Sequence, residues 1–151
     1  MSPNADQVRG ALSHRPIRVA QIVTKFLAGA GGITLRGALA LDRDRFAVTI
    51  MSAGAGPLME AAERAGLGVV RLEHMAPDLD PREDLKGIGE LTALLRDGSF
   101  DLVHTHSAKA GGIGRLAARR AGVPAIVHSF HGFPFHEFQS AIRRRTYIAM
   151  E

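Results

Sequence analysis

The chain has 151 residues, a length suited to one domain, and its 46% hydrophobic content allows a sizeable core. There is no cysteine, which excludes disulfides, zinc ribbons and thiol catalysis. Nineteen Lys and Arg against fifteen Asp and Glu leave a net charge of +4, a modest basic excess that does not demand a nucleic-acid partner.

Met1 to Arg15 is polar, lacks the apolar core of a signal peptide and reads as a disordered leader (residues 1–15). No stretch approaches the roughly 18 apolar residues needed to cross a bilayer, which fits a cytoplasmic protein. Ile17 to Thr24 is a β-rich apolar run ending at Ala28-Gly29-Ala30-Gly31-Gly32. Ile33, Leu35, Ala38, Leu39 and Leu41 then carry a helical pattern up to the charged turn at 42–45. Phe46 to Met51 is a second strand. Pro57 opens a short helix that ends near Gly66. Val69 to Leu72 is a third strand, followed by a Pro- and Asp-rich loop at 76–81.

Leu85, Ile88, Leu91, Leu94 and Leu95 share one face of a helix stopping near Gly98. Asp101 to His106 is a fourth strand, and a helix from about Ala108 to Ala121 ends at Gly122 with Arg119 and Arg120 in its last turn. Pro124 to Phe130 is a fifth strand, and Glu137 onward is helical. Strands alternating with helices at this spacing predict parallel βαβ units. The expected fold class is α/β: a Rossmann-like, doubly wound parallel sheet with strand order 3-2-1-4-5. Such sheets bind ligands at the carboxyl ends of their strands, beside the point where the order reverses.

Three segments fall on that edge. Gly29, Gly31 and Gly32 follow the first strand, where glycine lets backbone approach a ligand and a helix N-terminus attracts anions; a tight, closely packed βα turn is the other reading. This is a poor dinucleotide fingerprint, because Thr34 stands where the third glycine belongs and Met51-Ser52-Ala53 brings no acid for a ribose hydroxyl. No glycine precedes Lys-Ser or Lys-Thr, so a Walker loop is missing.

The fourth strand ends in His104-Thr105-His106-Ser107-Ala108-Lys109. His104 and His106, two apart, share a sheet face, but a histidine pair without a third ligand is a weak metal signal. Ser107 and Lys109 open the next helix, as groups for a polar ligand or as an N-cap and a solvated lysine. The fifth strand runs into His128-Ser129-Phe130-His131-Gly132-Phe133-Pro134-Phe135-His136, with His131 where the chain turns outward. A neutral imidazole there accepts or donates a hydrogen bond, or takes a proton. Last, Arg143, Arg144 and Arg145 lie on a basic amphipathic helix that suits either anionic lipid headgroups or plain solvent. The chain stops in mid-helix at Glu151 without a capping signal, which reads as a cut.

With these residues assembled, the sequence resembles the N-terminal domain of family 4 retaining glycosyltransferases of the GT-B fold, from about Ile17 to Glu151. Gly31-Gly32, the run from Asp101 to Gly111, His131-Gly132-Phe133-Pro134-Phe135-His136 and the Arg-Arg-Arg-Thr-Tyr-Ile helix carry the likeness, with wording like that of members building capsular or exopolysaccharide on lipid-linked acceptors. The resemblance implies a two-domain enzyme, residues 16–151 being the acceptor-side half and the C-terminal donor-binding domain lying outside this chain. It implies a nucleotide-sugar donor and a glycan or lipid-linked acceptor, and neither cofactor nor metal. By the family's pattern Gly31 and Gly32 approach the donor diphosphate and His131 the transferred sugar, as the catalytic histidine. Ser107, Lys109 and His106 are carried as acceptor or phosphate contacts.

Ile33 and Thr34 depart from the acidic residue or glutamine often found after the glycine pair. The resemblance also implies negligible turnover by this half alone, a missing second domain or split partner, and a position peripheral to the inner membrane face through Arg143, Arg144 and Arg145. Two other readings stay open: a non-catalytic glycan or lipid-phosphate binding module, and a Rossmann-type sugar-nucleotide epimerase.

Overall fold

A computed structural model describes residues 15–27, 29–75, 77–78 and 80–131, and residues 141, 142 and 145. Five strands, β1 (Ile17–Lys25), β2 (Phe46–Ala53), β3 (Gly68–Leu72), β4 (Leu102–His106) and β5 (Ala125–Ser129), alternate with four helices. These are α1 (Ala30–Ala40), α2 (Pro57–Arg64), α3 (Pro81–Asp97) and α4 (Ala108–Ala121). Every strand pair is parallel and the order is β3-β2-β1-β4-β5, the order expected from the βα rhythm.

The central strand explains why the first run lacks clean alternation. Val19 to Thr24 is buried throughout, because β1 has a strand on either side and helices on both faces. On one face Val19, Val23, Val48 and Ile50 meet Leu35 and Ala38 of α1 and Met59 and Ala62 of α2. On the other, Ala20, Ile22, Met51 and Val103 meet Leu91 and Leu95 of α3 and Ile113 and Ala117 of α4.

The helices bury only part of the apolar pattern their spacing suggests: Leu35, Ala38, Leu91 and Leu95 turn inward, whereas Ile33, Leu39 and Leu85 are exposed. In α1 the buried positions are 31, 34, 35 and 38, one stripe of an amphipathic helix. Asp80 caps α3, its carboxylate accepting from the amides of Arg82 (2.9 Å) and Glu83 (3.3 Å), with Pro81 in the first turn. Gly122 closes α4 in the left-handed conformation (φ 76°).

Some boundaries differ from the sequence expectation. β2 runs on through Ser52 and Ala53, whose amides find partners in the flanking strands. Asp101 precedes β4 instead of opening it. Its carboxylate accepts the Arg18 amide at 2.8 Å and pairs with both Arg15 guanidinium nitrogens at 2.7 Å, bracing the start of β1. The proposed leader falls outside the described residues except for Arg15. Of the expected last helix, residues 141, 142 and 145 are helical, and Arg143 and Arg144 lie outside the description.

Candidate functional site

Because all five strands are parallel, their carboxyl ends lie on one edge. β1 hands over to α1 on one face and its neighbour β4 hands over to α4 on the other, which makes this the switch point where sheets of this kind have their binding crevice.

The glycine pair sits at the first of these exits. A Cβ on Gly31 would come 2.9 Å from the Phe26 carbonyl carbon and 3.2 Å from Leu58, so only a hydrogen fits between α1 and the strand it leaves. A Cβ on Gly32 meets nothing nearer than the Arg36 guanidinium at 3.6 Å. The pair thus divides: Gly31 is needed for close approach, whereas a side chain on Gly32 would make only an ordinary contact with Arg36. The first closed helical bond is Ile33 N to Gly29 O at 3.0 Å, so the amides of Ala30, Gly31 and Gly32 lack an acceptor within the helix and carry its partial positive charge.

At the second exit Ser107 adopts φ 71° and ψ 155°, a combination that only glycine enters without strain. Its hydroxyl does not cap α4. It lies 2.9 Å from the Thr24 hydroxyl, which also accepts the Ala110 amide at 3.1 Å. Thr24 therefore ties the end of β1 to the first turn of α4 across the crevice.

Lys109, expected as a rim cation, is buried at 4% exposure under the other side of the sheet. Its ammonium pairs with Asp84 at 2.6 Å and donates to the Asp78 carbonyl, joining α4 to α3 and the loop before it. The structure does not bring it together with the glycines and His131.

The histidines divide by strand parity. His128 lies on the α4 face, its Nδ1 2.9 Å from Thr105 Oγ1, with its ring against Gly111, where a Cβ would come within 2.5 Å. His104, His106 and His131 stack on the opposite face, with centroid separations of 4.1 Å and then 5.0 Å. His104 Nε2 is 2.7 Å from Ser129 Oγ. His106 is 3% exposed, with Nε2 2.6 Å from Gln21 Oε1 and Nδ1 2.8 Å from His131 Nε2. With both nitrogens engaged, His106 stands behind His131 and does not open to the edge as an acceptor contact would. Burial, reinforced by the neighbouring His104, His131 and His128, pushes its pKa down to about 3. Burial, followed by the charges of His131 and His128, lowers that of His104 too. His104 and His106 are therefore predominantly neutral at physiological pH. Among the described residues no three His, Asp or Glu side chains are placed to hold a metal ion.

Sequence reasoning passed over Gln21, Thr24 and Ser129, the partners that order this edge. Their one signal was a polar side chain in, or closing, an apolar strand, which in a doubly covered sheet requires a buried partner. Beside the glycines, a cavity of about 240 Å³ is lined largely by apolar groups, among them Phe26, Leu27, Met59 and Pro77, with Lys25 at its wall. Arg145 is exposed, and no helix among the described residues is long and apolar enough to cross a membrane.

Comparison with known proteins agrees with the fold. The Glycosyl transferase 4-like domain family matches residues 7–151. The chain is 32% identical to the UDP-Gal:alpha-D-GlcNAc-diphosphoundecaprenol alpha-1,3-galactosyltransferase of Escherichia coli, with 82% of this chain matching 32% of that protein. It is 36% identical to D-inositol 3-phosphate glycosyltransferase 1 of Catenulispora acidiphila, over the same shares. The chain thus spans about a third of the length of these curated relatives. Among solved structures it resembles Anabaena HepE in complex with UDP (TM-score 0.67, 17% identity, 89% of this chain and 35% of that one). It also resembles Acinetobacter baumannii MurG (TM-score 0.60, 19% identity, 78% and 37%), a likeness of fold.

Proposed function

Since the chain belongs to the glycosyl transferase 4-like family, we propose that it is the N-terminal, acceptor-side half of a GT-B enzyme that moves a hexose from a nucleotide-sugar donor to a lipid-linked or glycan acceptor with retention of anomeric configuration. What supports this reading is that a glycine-opened helix N-terminus follows β1 and that His131 follows β5, both at the carboxyl ends of one parallel sheet. In a transfer of this kind negative charge develops on the leaving diphosphate. The amides of Ala30, Gly31 and Gly32, which have no acceptor within the helix, are groups suited to hold it, and preorganised donors of that kind lower such barriers. His131 lies at the end of the adjacent strand system, where a sugar hydroxyl would be met. Ser107 and Thr24 line the crevice between them.

The apolar cavity beside Lys25 supports an acceptor with an apolar part, in keeping with a lipid-linked substrate of capsular or exopolysaccharide type. Such acceptors reside in the bilayer, so this reading puts the protein at the inner membrane surface, with Arg143, Arg144 and Arg145 toward anionic headgroups. The donor nucleotide would be held mainly by a second domain, supplied by a longer chain or by a split partner.

Sugar transfer from radiolabelled UDP-hexoses to polyprenyl-diphosphate-linked sugars tests the proposal, measured for the 151-residue chain alone and with a C-terminal donor domain supplied. Negligible turnover alone and transfer on complementation are expected. Transfer by the chain alone would overturn the half-enzyme reading. Saturable binding of a nicotinamide cofactor, with no response to sugar nucleotides, would overturn the assignment itself.

A further inference from the structure

We infer that Gln21 is a positioning residue that, acting through His106, sets which ring nitrogen of His131 carries the proton and so makes His131 a hydrogen-bond acceptor toward the crevice. Gln21 lies in the middle of β1 opposite His104 of β4, is 6% exposed, and turns its amide oxygen to His106 Nε2 at 2.6 Å. An amide oxygen only accepts, so His106 Nε2 must carry a hydrogen.

His106 is held neutral by burial between two other imidazoles, which leaves its Nδ1 with a lone pair. Two nitrogens 2.8 Å apart share a hydrogen, and since Nδ1 has none, the hydrogen belongs to His131 Nε2. A neutral His131 in this tautomer has a bare Nδ1, which has no hydrogen-bond partner among the described residues.

The stack makes this assignment rigid. His106 lies between His104, itself anchored to Ser129, and the nearly parallel ring of His131 (22° between planes), so turning one ring disturbs the others. The consequence is chemical selectivity. A neutral imidazole with a bare Nδ1 accepts from a hydroxyl and offers no donor to a phosphate oxygen. The class of group met at His131 is therefore a hydroxyl, as on a sugar ring, while anionic groups are left to the first turn of α1. The hydroxyl's identity as a sugar's rests on the function proposed above; the tautomer does not.

The test is long-range ¹H–¹⁵N correlation spectroscopy of the imidazoles in the 151-residue chain near pH 7.5, assigned by comparison with His131→Asn. Both His106 and His131 are expected in the Nε2–H form. In Gln21→Met, which removes the acceptor at similar volume, His131 is expected to lose that single form and show a mixture of tautomers. A wild-type His131 protonated at Nδ1, or an unchanged pattern in a folded Gln21→Met, overturns the inference. The wild-type spectrum decides it even if the variant does not fold. No substrate is needed, so a failure of sugar transfer with the Nε2–H pattern intact would count against the proposed reaction and leave the relay standing.

Discussion

The Lys109 ammonium sits 2.6 Å from an Asp84 carboxylate oxygen, fastening the first turn of α4 to the first turn of α3 beneath the sheet. The lysine side chain is 5% exposed and the aspartate 21%, so water does little to replace either partner. Removing one member of such a pair strands the other. Lys109→Met is expected to lower unfolding stability by about 3 kcal/mol in urea titrations, at the low end for buried pairs because Asp84 keeps some solvent. The double variant Lys109→Met, Asp84→Asn should recover most of that loss. Equal stability of the single and double variants would show that the pair is not a brace.

The two glycines at the start of α1 separate packing from ligand contact. Gly31→Ala forces a methyl against the Phe26 backbone, and a cost of roughly 1–3 kcal/mol is expected from overpacking. Gly32→Ala meets only the flexible Arg36 side chain at ordinary contact distance and gains helix propensity, so its stability should stay level or rise by up to about 1 kcal/mol. Thermal unfolding of the two variants checks both signs. A loss of transfer in a fully stable Gly32→Ala enzyme, assayed with the donor domain present, would then report ligand contact and not folding.

His106 predicts a loss of stability in acid. Its folded pKa, about 3, lies below the ordinary value of 6.5, so the unfolded chain binds the proton more readily. Stability is therefore highest above about pH 6.5 and falls as pH drops from there toward 3, by about 2 kcal/mol at pH 5 from this residue. His104, lowered in the same sense, adds to the fall. Urea titrations at pH 7.5 and pH 5 should show the drop in the wild type and a smaller one in His106→Leu, whatever that variant's stability at neutral pH.

Ser107 stores backbone strain at φ 71° and anchors Thr24 through its hydroxyl. Ser107→Ala keeps the strain and loses the anchor, whereas Ser107→Gly loses the anchor and relieves the strain. The glycine variant is expected to be the more stable of the two by about 1–2 kcal/mol. An alanine variant as stable as the glycine one would mean that the junction is not held as described.

Much of the fold was legible in the residues. The βα alternation, the stop at Gly122 and the inward Leu35 and Ala38 are local patterns, and parallel connections admit few topologies. His104 and His106 share a face because strand side chains alternate, and that too could be read from spacing. Lys109 was misplaced at the rim because a lysine early in a helix is ordinarily solvated. Its burial depends on Asp84 and the Asp78 carbonyl, which belong to an element 25 residues or more earlier in the chain. Gln21 went unremarked because nothing in its own neighbourhood names its partner, 85 residues away.

The residue order alone determined the sheet, its strand order and the edge at which the strands hand over to helices, since these follow from hydrophobic period, turn chemistry and the handedness of crossovers, all of them short-range. Which polar groups face each other across that edge was decided only in three dimensions. Gln21 finds His106, Thr24 finds Ser107, and Lys109 turns away to Asp84, because hydrogen bonds and ion pairs form between whatever groups the packed strands and helices bring within about 3 Å, at any separation along the chain.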